Sequence, residues 1–412
     1  MTMFDTDSVW EYSTADRLKF GPGAVTELPH EIERMGGEHV LLVTDEGVRE
    51  AGVLETVTEQ LPGSMTYDVF DDVESDPPAE LFVRAGEYAA KTDPDVIVGV
   101  GGGSCIDIGK GASLLSEHGG DVLDYVAPPT GEGQPIPGPT TPYVAVPTTA
   151  GTGSESTSVA VVSLPEQKLK VGISDKHLFP DLALVDPSLT VSLPPGPTAS
   201  AGMDALSHAV EGYTTRRFDA KEQPDSPADR PDYGGRNRLS DTLCHEAIKL
   251  IAGHLRRAVD NGSDLEARRN TSLGSTMAAL GFANAGLGAT HALAYPVAGE
   301  HHTPHGLTIA LLLPEVMRFN APSAPERYVD IAQLMGKSVS RQDRREAAEA
   351  AATAVEELAA DVGIPDGLAA VGVTEAELPE FAEETMQLQR LLVGNPRRMT
   401  AEDAEEIYRR SL

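Results

Sequence analysis

Four residues with metal-binding side chains stand in two short segments of the second half of the chain. Asp204 and His208 lie four residues apart in GMDALSHAVEG, so a helix would present both side chains on one face. Such a pair alone is more often a surface hydrogen bond. The segment GFANAGLGATHALAYPVAGEHHTPHG adds His291 and His305. One carboxylate and three imidazoles suit Fe²⁺ or Zn²⁺ and suit Mg²⁺ or Ca²⁺ poorly, so we predict a metal site.

The second of these segments also leaves alternatives open. His301 and His302 flank the same loop and are competing candidates for ligation. We expect the glycine- and alanine-rich run to form a closely packing helix that ends at His291. Pro296 and Pro304 should then interrupt regular structure, with His305 at the start of the next helix, Leu307–Leu313.

A glycine-rich turn in the first half favours a phosphate ligand. Val96–Lys110 reads VIVGVGGGSCIDIGK, in which a buried strand runs into Gly101, Gly102, Gly103 and Ser104 before a helix begins. Glycines allow close backbone approach, and the free N–H groups at a helix start attract an anion such as pyrophosphate. Ser104 replaces the glycine that the Rossmann fingerprint requires. The alternative is a tight strand–helix turn that binds nothing.

Two other segments follow predicted strands. Asp45 stands in LLVTDEG, where its carboxylate would accept hydrogen bonds from an adenosine ribose and repel a 2′-phosphate, or would simply cap the next helix. The segment Pro147–Ser154 (PTTAGTGS) follows another strand. Because the carboxyl ends of parallel strands share one sheet edge, both segments should lie near the glycine-rich turn.

A dinucleotide site combined with a Lewis-acidic metal indicates one type of reaction. The metal polarises the oxygen of a small alcohol or aldehyde, and a hydride passes between the substrate carbon and the nicotinamide. The chain has no Gly-x-Ser-x-Gly elbow, and neither Cys105 nor Cys244 has a reactive setting. Covalent hydrolysis is therefore disfavoured.

Short apolar runs separated by helix-length segments predict a parallel α/β domain in the first half. The predicted strands are His39–Thr44, Met65–Phe70, Val96–Val100, Tyr143–Val146 and Leu182–Val185.

The second half reads as mostly helical. Ser192–Pro197 (SLPPGP) reads as a linker, which predicts a dinucleotide-binding domain over residues 1–196 and a helical metal-binding domain over 197–412. Arg345–Asp361 has a helical apolar stripe that Gly363 should end. The polar stretch Phe218–Arg238 reads as a surface loop or insertion.

The net charge of the chain limits the kinds of partner that it can bind. With 32 basic and 64 acidic side chains the formal net charge is −32, which disfavours nucleic acid and anionic membranes. No apolar run is long enough to span a bilayer, and the N-terminus does not resemble a secretory signal. Two cysteines are too few for disulfides to stabilise a chain of this length, so we predict a reducing, cytoplasmic location. The acidity indicates either adaptation to high salt or an ordinary acidic enzyme.

These motifs resemble one family. GGGSCIDIGK, VPTTAGTGSE, GMDALSHAVEGY and the spacing of His291 and His305 are similar to the iron-containing (group III) alcohol dehydrogenases, from about FGPGAV to NPR. The resemblance implies an α/β NAD(P)-binding domain and an all-α metal-binding domain, the dehydroquinate synthase-like architecture, with the site in the cleft between them. It implies Asp204, His208, His291 and His305 as metal ligands, and we expect a homo-oligomer, a dimer. It places NAD(P) contacts at Asp45, Gly102, Gly103, Ser104, Asp107, Thr148, Thr149 and Lys170, and Asp45 favours NAD over NADP.

One position departs from the family pattern. Many members carry a histidine, proposed to relay the proton, four residues after the third ligand, and here Tyr295 stands there. Three alternatives follow for the proton relay. Tyr295 relays the proton itself, or a water chain, His301 or His302 relays it, or the proton leaves directly to solvent. The chain resembles the hydroxyacid–oxoacid transhydrogenase branch of the family at Tyr295 and in the segments QRLLVGNPR and RPDYGGRNRLSD. In that branch, Arg238 or Arg390 would hold a substrate carboxylate. The alternative is that each arginine forms an ordinary surface ion pair.

Four functions therefore remain open at this point. The first is a metal-dependent NAD(H) alcohol dehydrogenase, and the second a transhydrogenase or 4-hydroxybutyrate-type dehydrogenase. The third is a lyase of the dehydroquinate synthase type, although the metal motifs lack the basic cluster that a phosphorylated substrate needs. The fourth is a catalytically silent binding protein, which the intact ligand set disfavours.

Overall fold

The computed structural model describes residues 9–167, 169–221, 224–227, 230–339 and 343–412. The chain divides into two compact units. The sheet unit comprises Thr14–Pro194 and Asn261–Ser272, and the helical unit comprises Pro195–Asp260 and Leu273–Leu412 with the described residues up to Ser13.

A six-stranded parallel sheet organises the sheet unit, as the continuous apolar runs predict. The strands of this sheet are β1 (Leu18–Phe20), β2 (His39–Asp45), β3 (Thr66–Val73), β4 (Val96–Gly101), β5 (Tyr143–Pro147) and β8 (Leu182–Val185). Their order across the sheet is β1-β8-β5-β4-β2-β3. Along each central strand the side chains alternate between two cores, so that Val40 and Leu42 join one core while Leu41 and Val43 join the other.

Helices connect these strands as crossovers. They are α1 (Leu28–Arg34), α2 (Glu46–Glu50), α3 (Val53–Thr58), α4 (Ala79–Thr92) and α5 (Gly103–His118). The sequence analysis missed a separate antiparallel pair, β6 (Val159–Leu164) and β7 (Leu169–Ser174). Lys170 lies on the second strand of this pair.

The helical unit confirms the expectation of a mostly α second half, since its described residues form no named strand. Its helices are α6 (Pro195–Thr214), α7 (Arg238–Asp260), α8 (Leu265–Ala285, whose first residues group with the sheet unit), α9 (Ala289–His301), α10 (His305–Asn320), α11 (Pro325–Leu334), α12 (Arg344–Asp361), α13 (Leu378–Thr385), α14 (Gln389–Leu392) and α15 (Ala401–Arg410). No helix among the described residues is long and apolar enough to cross a membrane.

Three local expectations were wrong. The glycine- and alanine-rich helix ends at Ala285 rather than at His291, because Gly286 takes a left-handed conformation with φ of 101°. Pro296 lies inside α9, where the buried face of the helix outweighs the lost N–H donor. Pro195–Pro197 of the predicted linker form the first turn of α6, since proline is tolerated where no intrahelical N–H bond is made. Ser192–Pro194 lie outside any helix, and the sheet unit ends at Pro194.

Candidate functional site

Helix α6 carries the first two predicted ligands on one face. Asp204 and His208 are both buried, and the Nε2 atom of His208 lies 3.8 Å from Oδ1 of Asp204. The small residue Gly202 lets this helix pack closely, because a Cβ there would come within 2.2 Å of Leu255. Close packing of α6 therefore fixes the direction of both ligands.

The two remaining ligands converge on the same carboxylate oxygen. His291 is the third residue of α9, and its Nε2 lies 3.7 Å from Oδ1 of Asp204. His305 is the first residue of α10, and its Nε2 lies 3.8 Å from the same oxygen. The structure thus brings all four sequence-predicted ligands together. Three of them, Asp204, His208 and His291, present ligand atoms within 4.8 Å of one another.

The donor set fits a transition metal. Oδ1 of Asp204 and Nε2 of His291 are buried and have no hydrogen-bond partner, although burying a polar atom unpaired is costly. A cation bound between them would satisfy both atoms. Three imidazole nitrogens with one carboxylate oxygen match Fe²⁺ or Zn²⁺.

Electrostatics around these ligands favour a cation. Burial raises the pKa of Asp204, but His208, His291 and His305 outweigh burial and hold the pKa well below its usual range. Burial lowers the pKa of His291, but Glu211 and Asp204 outweigh it and raise that pKa to about 9. A protonated His291 would have to lose the proton on Nε2 before that nitrogen could bind a metal.

The sequence analysis missed Glu211, which lies beneath the ligands. Its carboxylate accepts from the backbone N–H of Thr290 at 2.6 Å, and its other oxygen lies 2.6 Å from Nδ1 of His291. Glu211 follows Asp204 by seven residues, which is two helical turns. That spacing places Glu211 on the same helix face as Asp204, and the sequence analysis could have found Glu211 from it.

The competing histidines do not join the cluster. Nε2 of His301 lies 2.9 Å from Oε1 of Glu377, and His302 is exposed with a left-handed backbone at the end of α9. Neither belongs to a metal-holding group among the described residues.

Tyr295 lies beside the ligands. It follows His291 by one turn of α9, and its ring centroid lies 5.7 Å from that of His305. Tyr295 packs against an apolar cluster that contains Phe282, whose ring stacks on His208 at 4.3 Å. This position is suitable for a proton relay, and the relay role of Tyr295 stays a prediction.

The glycine-rich turn lies at the carboxyl end of β4 in the sheet unit. Gly101 has φ of 154°, and Gly102 precedes the first residue of α5 with its own backbone extended. The backbone N–H of Thr148 donates to the carbonyl of Gly101 at 2.9 Å. A Cβ on Gly102 would meet Thr149 at 3.6 Å, which is an ordinary contact. The fold itself therefore does not require glycine at position 102.

The structure gives other predicted cofactor residues partners within the protein. Asp45 caps α2 by accepting from the N–H of Val48 at 2.8 Å, as the capping alternative expects. Oδ2 of Asp107 accepts from the N–H of Val161, and Nζ of Lys170 lies 2.7 Å from Oδ1 of Asp76. These contacts leave the proposed cofactor roles as predictions. Ser104 and Thr149 are half-buried at the turn.

A buried lysine, which the sequence analysis did not single out, holds the segment between β5 and β6. Nζ of Lys110 donates to the carbonyls of Ser154, Thr157 and Val159 at 2.7–2.9 Å and to two side-chain hydroxyls. Burial lowers the pKa of Lys110 to about 8 and raises that of Glu155 to about 7.

Both cysteines, Cys105 and Cys244, are buried, and burial raises the pKa of each thiol. This agrees with their expected lack of reactivity.

The predicted carboxylate-binding arginines lie in different places within the helical unit. The guanidinium carbon of Arg390 lies 5.0 Å from the ring centroid of Tyr233, beside the apolar cluster that contains Phe282. Arg238 begins α7 and lines a surface hollow with Tyr213. Residues 222–223 and 228–229 of the predicted loop Phe218–Arg238 lie outside the described residues.

Two features identify the class of protein as a metal-dependent oxidoreductase. They are the parallel α/β unit with its glycine-rich turn and the buried cluster of one carboxylate and several histidines. Two family models match the chain: "Iron-containing alcohol dehydrogenase" over residues 15–187, and "Fe-containing alcohol dehydrogenase family, C-terminal" over residues 235–412. The protein belongs to the iron-containing alcohol dehydrogenase family.

The relatives include proteins named for two different activities. The chain is 35% identical to a mitochondrial hydroxyacid-oxoacid transhydrogenase of Bos taurus, over 99% of this chain and 91% of the relative. It is 38% identical to long-chain-alcohol dehydrogenase 1 of Geobacillus thermodenitrificans, over 94% and 93%.

Two solved structures share the fold over nearly the whole length. A 1,3-propanediol oxidoreductase matches with a TM-score of 0.88 and 34% identity, over 98% of this chain and 100% of that one. A sulfoacetaldehyde reductase from Bifidobacterium kashiwanohense in complex with NAD⁺ matches with a TM-score of 0.84 and 28% identity, over 98% of both chains.

Proposed function

We propose that the protein transfers a hydride between NAD(H) and a small alcohol or aldehyde that binds at a metal held by Asp204, His208, His291 and His305. The observation that carries the proposal is the convergence of three imidazole Nε2 atoms, each 3.7–3.8 Å from one buried and unpartnered carboxylate oxygen. Bound there, Fe²⁺ or Zn²⁺ acts as a Lewis acid on the substrate oxygen.

NAD is the cofactor that the sheet unit supports best. Backbone N–H groups at the start of α5 follow Gly102 and are suited to a pyrophosphate. Asp45 ends β2, next in the sheet to β4, so its carboxylate would disfavour a 2′-phosphate nearby. The NAD⁺ complex of the similar sulfoacetaldehyde reductase supports the same choice.

Tyr295 is the proposed proton carrier. An alcohol must lose its hydroxyl proton as it becomes an aldehyde, and the phenol lies beside His305 at the ligand cluster. A partly buried tyrosine donates and accepts through one oxygen, so it can pass the proton outward.

A direct experiment combines metal analysis with a substrate screen. The purified protein is loaded anaerobically with Fe²⁺ or Zn²⁺, and NADH formation is followed with primary alcohols of increasing length and with 4-hydroxybutyrate. The proposal expects one metal per chain and NAD⁺-dependent oxidation that a chelator abolishes. Turnover that a chelator leaves unchanged would contradict it.

A second candidate is hydroxyacid–oxoacid transhydrogenation. It is favoured by Arg390, which is exposed at the edge of the Phe282 cluster and carries a charge suited to a carboxylate. The similar transhydrogenase of Bos taurus supports it independently.

Steady-state turnover separates the two candidates. A dehydrogenase consumes free NAD⁺ in proportion to the alcohol that is oxidised. A transhydrogenase requires an oxoacid acceptor and gains little from added NAD⁺. If transhydrogenation is observed, Arg390→Gln should raise the KM for the hydroxyacid more than that for an uncharged alcohol.

A further inference from the structure

Glu211 is a buried carboxylate that no step of the proposed reaction uses. It is 4% exposed and lies on α6, two turns after Asp204. Its two oxygens point to one short stretch of α9: Oε1 accepts from the backbone N–H of Thr290, and Oε2 lies 2.6 Å from Nδ1 of His291. Both contacts are short and charge-assisted, which makes them strong.

The contact on Nδ1 determines which nitrogen of His291 is free. A carboxylate only accepts hydrogen bonds, so the ring proton beside Glu211 stays on Nδ1. The lone pair of the neutral ring is then on Nε2, the atom that faces Asp204 at 3.7 Å. A metal ligand needs that lone pair.

The contact on Thr290 fixes the backbone that carries the ring. The N–H groups at the start of a helix have no intrahelical acceptor, and Glu211 supplies one for Thr290 while Oδ1 of Asn395 supplies one for Ala289. A Cβ on Gly288 would approach Oε1 of Glu211 to 3.2 Å, so glycine permits this close approach.

We propose that Glu211 is a positioning residue that holds His291 with its proton on Nδ1 and its Nε2 lone pair aimed at the metal. The proposal rests on the metal site of the proposed function. Carboxylate partners of ligating histidines typically change metal affinity by about 10- to 100-fold when they are removed.

The test measures Zn²⁺ affinity by chelator competition for the wild-type chain, Glu211→Ala and Glu211→Gln. We expect Glu211→Ala to bind Zn²⁺ about 10- to 100-fold more weakly. Glu211→Gln should lie between it and the wild type, because the amide oxygen can accept from only one of the two N–H groups. Thr214→Val is the matched control, since Thr214 is buried on the same helix and its hydroxyl donates to the carbonyl of Val210.

A second readout separates positioning from general destabilisation. In the Zn²⁺-loaded wild type, ¹⁵N-resolved NMR should show a slowly exchanging Nδ1 proton on His291. In the glutamine variant this proton should exchange faster or shift upfield, whereas Thr214→Val should leave both the proton and the Zn²⁺ affinity unchanged even if it lowers the melting temperature.

The outcomes distinguish the two proposals. Wild-type affinity and an unchanged Nδ1 proton in both Glu211 variants would overturn the role of Glu211 and leave the metal site intact. A wild-type chain that binds no Zn²⁺ or Fe²⁺ would overturn the proposed function itself. If Glu211→Ala does not fold, Glu211→Gln alone decides, with wild-type behaviour overturning the proposal.

Discussion

The rings of Tyr295 and His305 lie 5.7 Å apart, centroid to centroid, with Tyr295 one turn after His291 on α9. This position is the basis for proposing Tyr295 as the proton carrier. We predict that Tyr295→Phe lowers turnover by about 10²-fold, the lower range for general acid–base catalysis, and changes the pH profile of kcat.

The control for this prediction is Tyr233→Phe, which removes a hydroxyl from the same apolar cluster. It should leave the pH profile unchanged. A Tyr295→Phe enzyme with the rate and pH profile of the wild type would show that Tyr295 only packs.

A pair of glycine substitutions tests the phosphate turn. Gly102→Ala should retain the wild-type unfolding free energy, since its Cβ would make only ordinary contacts, starting at 3.6 Å from Thr149. It should weaken NAD⁺ binding about tenfold or more, because the added Cβ would block the close approach of a pyrophosphate to the backbone N–H groups of the turn. Gly109→Ala is the matched contrast, because its Cβ would lie 2.6 Å from the ring of Tyr143 and overpacking costs about 1–3 kcal/mol. Calorimetric NAD⁺ titration and urea unfolding measure both effects; unchanged NAD⁺ affinity in Gly102→Ala would count against the turn as the phosphate site.

The buried Glu155 predicts a particular dependence of stability on pH. Burial raises the pKa of Glu155 to about 7, although Lys110 partly offsets this, so between its unfolded value near 4.5 and pH 7 the folded state binds the proton more tightly. Stability from this group therefore falls as pH rises through that window.

Glu155→Gln removes this titration. Relative to the wild type, the variant should gain stability between pH 4.5 and pH 7, by up to about 3 kcal/mol at 1.4 kcal/mol per pKa unit. Urea unfolding without NAD⁺ at both pH values measures the difference, with the exposed Glu166→Gln as the baseline for removing a carboxylate. A difference from the wild type that is equal at both pH values would contradict the buried environment of Glu155.

The net charge of −32 predicts a response to salt. The acids of Asp71–Asp76 and Glu375–Glu384 are exposed or half-exposed, although several of them pair with nearby cations such as Arg49 and Arg84. Solvent ions can screen the repulsion that the remaining net negative charge causes. If the surface is adapted to high salt, the melting temperature and activity should rise with KCl into the molar range. Sucrose at equal osmolality controls for osmotic stabilisation, and a protein most stable in dilute buffer would refute this adaptation.

Periodicity and ligand chemistry were enough to predict the main architecture and the convergence of Asp204, His208, His291 and His305. The continuous apolar runs predicted five of the six parallel strands and missed only the three-residue β1. The spacing of Asp204 and His208 predicted one helix face. The helix break before His291 was missed because Gly286 and Gly288 are compatible with a closely packed helix until the backbone angles are known. Glu211 and Lys110 were missed because their roles depend on hydrogen bonds across long sequence distances.

The metal content of the His291→Ala protein tests the central claim most directly. After anaerobic loading and desalting, the wild type should retain about one Fe²⁺ or Zn²⁺ per chain by elemental analysis. His291→Ala should retain almost none and lose nearly all NAD⁺-dependent turnover, because one of the four converging ligands is gone. Stoichiometric metal together with full activity in His291→Ala would contradict the account.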